Sequence, residues 1–99
     1  MKPVFKEVTV DLMDGSKKAV NIRTKVNILE RNRILDEHIN TSGNVMNIKT
    51  FAIETDVLKL VIPESENPGV KIEDIESGSL DKIFGDFKED FFGSLKKKV

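Results

Sequence analysis

Two short β-prone runs that flank Asp14-Gly15 constrain the fold more than any other feature of the sequence. In the first run, residues 4–12, apolar and polar side chains alternate near the end, which is the period of a half-buried strand. An Asp-Gly pair is a strong turn signal because glycine accepts positive φ without a Cβ clash. We therefore predict a β-hairpin with strands 4–12 and 17–23. Two strands alone are marginal in water, so the remaining chain must cover their apolar face.

A helix is predicted next, over residues 25–38, with Thr24 as its N-cap. Its apolar side chains keep helical spacing at Ile28, Leu35 and Ile39. The polar cluster at 40–44 favours a loop, because such side chains compete with helical hydrogen bonds.

Residues 45–62 are compatible with two structures. Apolar side chains at helical spacing and the length of the segment favour a helix, whereas its β-branched residues also suit strands. We predict a helix that ends before Pro63, with a loop over 63–69. The apolar stripe of this helix comprises Ile48, Phe51, Ala52, Thr55, Leu58 and Ile62.

The C-terminal region predicts one long amphipathic helix that is rich in phenylalanine, with candidate caps at Ser77 and Ser79. Six apolar residues fall on one helical stripe: Leu80, Ile83, Phe84, Phe87, Phe91 and Leu95. The simplest reading is a core stripe. Phe92 widens it beyond what a small core absorbs, so Phe91, Phe92 and Leu95 are the candidate protein-binding residues. If these residues bind a partner, changing Phe92 to serine should abolish binding while altering stability by less than ~0.5 kcal/mol.

These elements predict one α+β domain over residues 1–99, in which an N-terminal β-hairpin precedes about three helices. Ninety-nine residues suit a single core of modest stability, and self-association could add to that stability. No apolar run reaches signal-peptide or membrane-spanning length, so we expect a cytoplasmic protein without membrane contact.

The side-chain inventory argues against catalysis, and we predict neither an enzyme, a metal site nor a cofactor. Cysteine is absent, which removes disulfides, thiolate ligands and cysteine nucleophiles. The single histidine, His38, has only Asp36 and Glu37 as acidic neighbours, and a helix places those on different sides. Carboxylate pairs are common in a chain with 17 acidic residues, and no phosphate loop or nucleophile elbow occurs.

Nucleic-acid binding is disfavoured by the same inventory. The chain has no Tyr or Trp to stack on bases, and residues 54–95 carry eleven acidic side chains against four lysines, a net charge of −7. A modest basic face remains possible in the N-terminal half, where the candidate residues are Arg23, Lys25, Arg31 and Arg33.

The order of segments resembles the small tail assembly chaperones of long-tailed bacteriophages. The resemblance comprises the hairpin, the charged helix, the apolar stretch Phe51 to Ile62, the Pro/Gly loop, the run Val70 to Ile75 and the Phe-rich end. It implies a host-cytoplasmic chaperone that binds and shields the tape measure protein while tail tube subunits polymerise around it. It also implies that residues 45–62 are helical, and a second form made by ribosomal frameshifting, with which Lys96 to Lys98 are compatible.

Two other functions remain open from the sequence. A structural tail completion or connector protein would stay in purified phage particles. A small DNA-binding regulator would bind duplex DNA at low salt through the four basic residues named above.

Overall fold

The computed structural model describes the backbone of residues 4–42 and 45–93, and their side chains except those of 40–42 and 45–47. The fold is α+β, with an antiparallel hairpin followed by helices. Its elements, in chain order, are β1 (Phe5–Asp11), β2 (Lys17–Arg23), α1 (Ile28–His38), β3 (Ile39–Ser42), β4 (Val45–Ile48), α2 (Thr50–Val61), 3-10 turns at Glu64–Glu66 and Ile72–Asp74, α3 (Ser77–Gly85) and a π-helical turn at Glu89–Gly93.

The first hairpin forms as the sequence predicts. β1 and β2 pair antiparallel, and Gly15 takes the positive φ of +89° that the turn requires. The Asp14 carboxylate accepts hydrogen bonds from the Ser16 backbone N–H (2.9 Å) and from its hydroxyl (2.5 Å), which fixes the turn locally.

Both outer edges of this hairpin are engaged by later parts of the chain. On the β2 side, the buried Asn67 amide accepts from the Asn21 N–H (2.7 Å) and donates to the Asn21 carbonyl (2.9 Å), as a neighbouring strand would. On the β1 side, the Glu76 N–H donates to the Asp11 carbonyl (2.8 Å), and the Asp11 N–H donates to Ser79 Oγ (3.0 Å). Neither edge is left as an open pairing template at these positions.

The core lies between the inner face of the first hairpin and the helices. Its buried apolar side chains are Val10, Val20, Ile22, Ile34, Leu35, Ile53, Val57, Leu58, Val61, Ile62, Val70, Ile75, Ile83, Phe84, Phe87 and Phe91.

Helix α1 begins later than predicted, and its cap is Asn27, not Thr24. The Asn27 side chain accepts from the Glu30 N–H (2.9 Å), and Glu30 accepts from the Asn27 N–H (3.2 Å), a reciprocal capping box. Thr24 instead closes the hairpin by donating to the Val4 carbonyl. The helix buries Ile34 and Leu35, while Ile28 is exposed, contrary to the predicted stripe.

Residues 45–62 are not one helix. Val45–Ile48 forms β4, which pairs antiparallel with β3, so the predicted loop at 40–44 is partly strand, with 43 and 44 outside the described residues. Helix α2 starts only at Thr50 and ends before Pro63, as predicted. A two-stranded ladder satisfies the backbone of β-branched Val45 and Ile48 as well as a helix would.

The buried face of α2 also differs from the predicted stripe. The helix buries Ile53, Val57, Leu58 and Val61, and Phe51 points outward.

The predicted long C-terminal helix is interrupted. Helix α3 ends at Gly85, a residue of low helix propensity, and the chain continues through a turn into the π-helical turn. Neither predicted serine caps α3: its N-cap is Glu76, without a side-chain hydrogen bond. Leu95 and the lysines at 96–98 lie outside the described residues. None of the helices within residues 4–42 and 45–93 has both the length and the apolar composition of a membrane span.

Candidate functional site

An open groove separates the outer side of α2 from α3 and the π-helical turn. Its volume is about 720 Å³, which falls within the range of typical ligand and peptide sites. We call it the α2–α3 groove, and it is lined by Thr50, Phe51, Glu54, Asp81, Phe84, Gly85, Lys88, Glu89 and Phe92.

Phe51 is the dominant apolar feature of the groove. Its side chain is 84 % exposed, the highest value among the large apolar residues described. On a helix it lies about 200° from Ile53, so α2 cannot bury both on one face. The core takes Ile53, which has no exposed surface. Leu58 lies two turns later on the same side of the helix as Phe51 and is buried, so it is in the first turn of α2 that this side faces solvent.

Two further phenylalanines form the opposite wall. Phe84 is almost fully buried, and Phe92 packs edge-to-face against it, with ring centroids 6.0 Å apart and an interplanar angle of 77°. Phe92 is half-buried and keeps part of its ring on the groove. The groove thus combines a fixed aromatic wall with a freely exposed ring on α2.

The rim of the groove carries more negative than positive charge. Glu54, Asp81 and Glu89 contribute three carboxyl groups against the single ammonium of Lys88. Burial raises the pKa of Glu54, and the adjacent Asp81 carboxyl raises it further, while Lys88 acts in the opposite direction. A cation placed between the two carboxyl groups would relieve their repulsion.

The predicted protein-binding residues are placed very differently from one another. Phe91 has no exposed surface and belongs to the core, so it can only position its neighbours. Phe92 lines the groove, and Leu95 lies outside the described residues. The sequence did not predict Phe51 as a binding residue, because helical spacing assigned it to the core stripe of a longer helix. The strand at 45–48 instead places Phe51 in the first turn of α2.

The four basic residues of the alternative nucleic-acid site do not form one free face. The Arg23 guanidinium makes a two-pronged ion pair with Glu30 at 2.7 and 2.8 Å, and only 13 % of its side chain is exposed. This pair lowers the pKa of Glu30. Arg31 hydrogen-bonds the adjacent Asn32, whereas Lys25 and Arg33 are exposed. A phosphate could reach Arg23 only by displacing Glu30.

No protein-family model, curated protein or solved structure matches this chain.

Proposed function

We propose that this protein binds an amphipathic helix of another polypeptide in the α2–α3 groove and catalyses no reaction. The observation that carries the proposal is the exposure of Phe51 beside a groove with an aromatic wall. A helix laid in a groove is a common recognition mode, in which apolar side chains one turn apart act as anchors.

The energy available from such contact is considerable for so small a surface. Removing a phenylalanine side chain from water contributes roughly 1.5–3 kcal/mol. Phe51 can supply most of that amount, because little of its surface is buried in the chain alone. One such contact is weak, and several copies along one long client would bind by avidity.

The charge of the rim indicates which charged residues should border the apolar face of the bound helix. Three carboxyl groups and one lysine favour a helix whose apolar face is bordered by Lys or Arg. Such pairs at a solvent-exposed rim are screened by salt, so affinity should fall as ionic strength rises.

The sequence resemblance supplies the identity of the client that we propose. A tail assembly chaperone binds the tape measure protein, which is long and rich in amphipathic helix, and keeps it soluble before the tail tube forms. On this proposal a long tape measure reading frame lies directly downstream of the gene for this chain. Persistence of the protein in purified phage particles would contradict the chaperone role and support a structural tail component.

Co-expression tests the proposal directly. The tape measure protein of the same genome is produced with the wild-type chain, with Phe51→Ser or with Leu29→Ser. Leu29 is the matched control, because it is 78 % exposed on α1 and does not line the groove. We expect the wild type and Leu29→Ser to keep the client soluble and co-purify with it, whereas Phe51→Ser fails. Equal performance of the two variants would contradict the proposal.

A further inference from the structure

A second cluster, of side chains that can act as metal ligands, lies away from the groove, where α1 ends against α2. Glu37 and His38 come from the last turn of α1, and Asp56 comes from the middle of α2. One ligand atom from each of the three side chains lies within 4.8 Å of the others. His38 Nε2 and Asp56 Oδ2 are 2.5 Å apart. In sequence, His38 has only its neighbours on α1, and the fold adds the third group.

The chemistry of this set matches a transition metal. Imidazole and carboxylate are ordinary zinc ligands at about 2.0–2.2 Å, so ligand atoms around one tetrahedral ion are about 3.4 Å apart. All separations in the cluster are within 4.8 Å, so none must close by more than about 1.4 Å, which a change of side-chain rotamer in the exposed Glu37 can supply. His38 Nε2 and Asp56 Oδ2 must move apart by about 0.9 Å to admit the ion between them. We propose that Glu37, His38 and Asp56 bind one divalent transition-metal ion, zinc fitting best, with water in the fourth position.

Backbone contacts hold the end of α1 in place beside α2. His38 is the final residue of α1, and Ile39 is already extended. The His38 carbonyl accepts the Lys49 N–H at 3.0 Å, which fixes the end of the helix against the start of α2. The His38 and Asp56 side chains are only 19 % and 32 % exposed, so water competes less for them than at an open surface.

Two neighbouring cations limit the affinity of the site. Arg33 and Lys59 line the depression next to Glu37 and Asp56. They oppose a further positive charge, while the two carboxylates favour it. We therefore expect weaker binding than at a site with the same ligands and no adjacent cation.

Metal binding would fasten α1 to α2 across the β3–β4 hairpin that connects them. A ligand that binds only the folded chain stabilises it in proportion to the logarithm of its concentration. With free zinc about 100 times above Kd, the melting temperature of a domain this size should rise on the order of 10 °C.

Cobalt substitution provides the test, because four-coordinate Co²⁺ absorbs visible light far more strongly than hydrated Co²⁺. The purified chain is titrated with Co²⁺ and then with Zn²⁺. We expect one equivalent of Co²⁺ to give the four-coordinate spectrum and Zn²⁺ to abolish it. Glu37→Gln, His38→Gln and Asp56→Asn should each weaken binding at least about tenfold, since even outer-shell changes cost this much. Asp36→Asn is the matched control, an exposed carboxylate on the same helix outside the cluster.

Two results would overturn the proposal: no four-coordinate spectrum with the wild type, or equal losses in Asp36→Asn and Glu37→Gln. Because His38→Gln also removes the contact to Asp56, circular dichroism without metal identifies a folding defect in that variant. Glu37→Gln and Asp56→Asn then carry the test. A zinc-dependent rise in melting temperature in the wild type that Glu37→Gln lacks would be the second supporting readout.

Discussion

The inner face of the first hairpin and the α2–α3 groove are both apolar surfaces, but only the hairpin face is closed. Val10, Val20 and Ile22 are almost completely buried, and both edges of the hairpin are engaged by later segments. In the groove, Phe51 keeps 84 % of its surface in water and Phe92 is half-buried.

This difference separates two uses of apolar surface within one small domain. Side chains buried in the hairpin stabilise the fold, so changing them should lower the free energy of unfolding whether or not a partner is present. Phe51 contributes little to the fold, so changing it should affect only the contact with a partner.

Ile22→Ala should lower the free energy of unfolding by about 3 kcal/mol, because Ile22 is 1 % exposed and its removal leaves a cavity. Urea unfolding followed by circular dichroism measures this loss. The exposed strand residue Lys18 provides the control, and Lys18→Ala should change stability by less than about 0.5 kcal/mol. Equal effects of the two changes would contradict the claim that Ile22 lies in a closed core.

Asn67→Ala should cost about 2 kcal/mol, because it leaves the Asn21 backbone groups without their partner in a partly buried place. Thermal and urea unfolding give the value, with the exposed Ser65→Ala as the control in the same loop. Faster amide exchange at Asn21 in the variant would locate the loss at the β2 edge. Unchanged exchange at Asn21 would show that Asn67 does not protect this amide.

Glu30→Gln should destabilise α1 by about 1 kcal/mol, through loss of the charged contact to Arg23. The pKa of Glu30 is lowered by this contact, so its contribution is complete above the ordinary carboxyl pKa. It disappears as the pH falls through the lowered pKa of the folded state. Unfolding curves of wild type and Glu30→Gln should therefore differ at neutral pH and converge in acid. A difference that persisted in acid would assign the effect to packing.

Phe51→Ser should change the free energy of unfolding by less than about 0.5 kcal/mol, the smallest effect of the four. Phe92→Ser should cost more than this, in contrast to the expectation from the sequence alone, because Phe92 packs on Phe84. Differential scanning calorimetry of both variants measures this order. A large loss from Phe51→Ser would mean that the ring is part of the core and not a free binding element.

Local signals explain which parts of the fold the sequence could predict. The first hairpin was predictable because Asp14 and Gly15 make its turn with neighbouring residues only. The pairing of Asn21 with Asn67 spans 46 residues, and no local pattern marks it. The Asn27-to-Glu30 capping pattern is visible in the sequence, so the cap at Asn27 was predictable in place of Thr24.

The groove was only partly predictable for a related reason. Phe92 was identified from the width of the C-terminal stripe, and the structure places it on the groove. Predicting the exposure of Phe51 required the position at which α2 begins. That position depends on whether Val45–Ile48 pairs with Ile39–Ser42. Pairing between two short strands is decided by tertiary context, so helical spacing alone did not show that Phe51 lies in an exposed first turn, although Leu58 and Ile62 of the same stripe are buried.

Amide chemical-shift mapping tests the central claim most directly. The ¹⁵N-labelled chain is titrated with a helical fragment of the tape measure protein from the same genome. We expect the shifts to concentrate at residues 50–54 and 81–92, and to be lost in Phe51→Ser but retained in Leu29→Ser. Shifts centred on the outer face of α1 around Leu29, or no shifts at saturating fragment, would contradict the assignment of the groove as the binding surface.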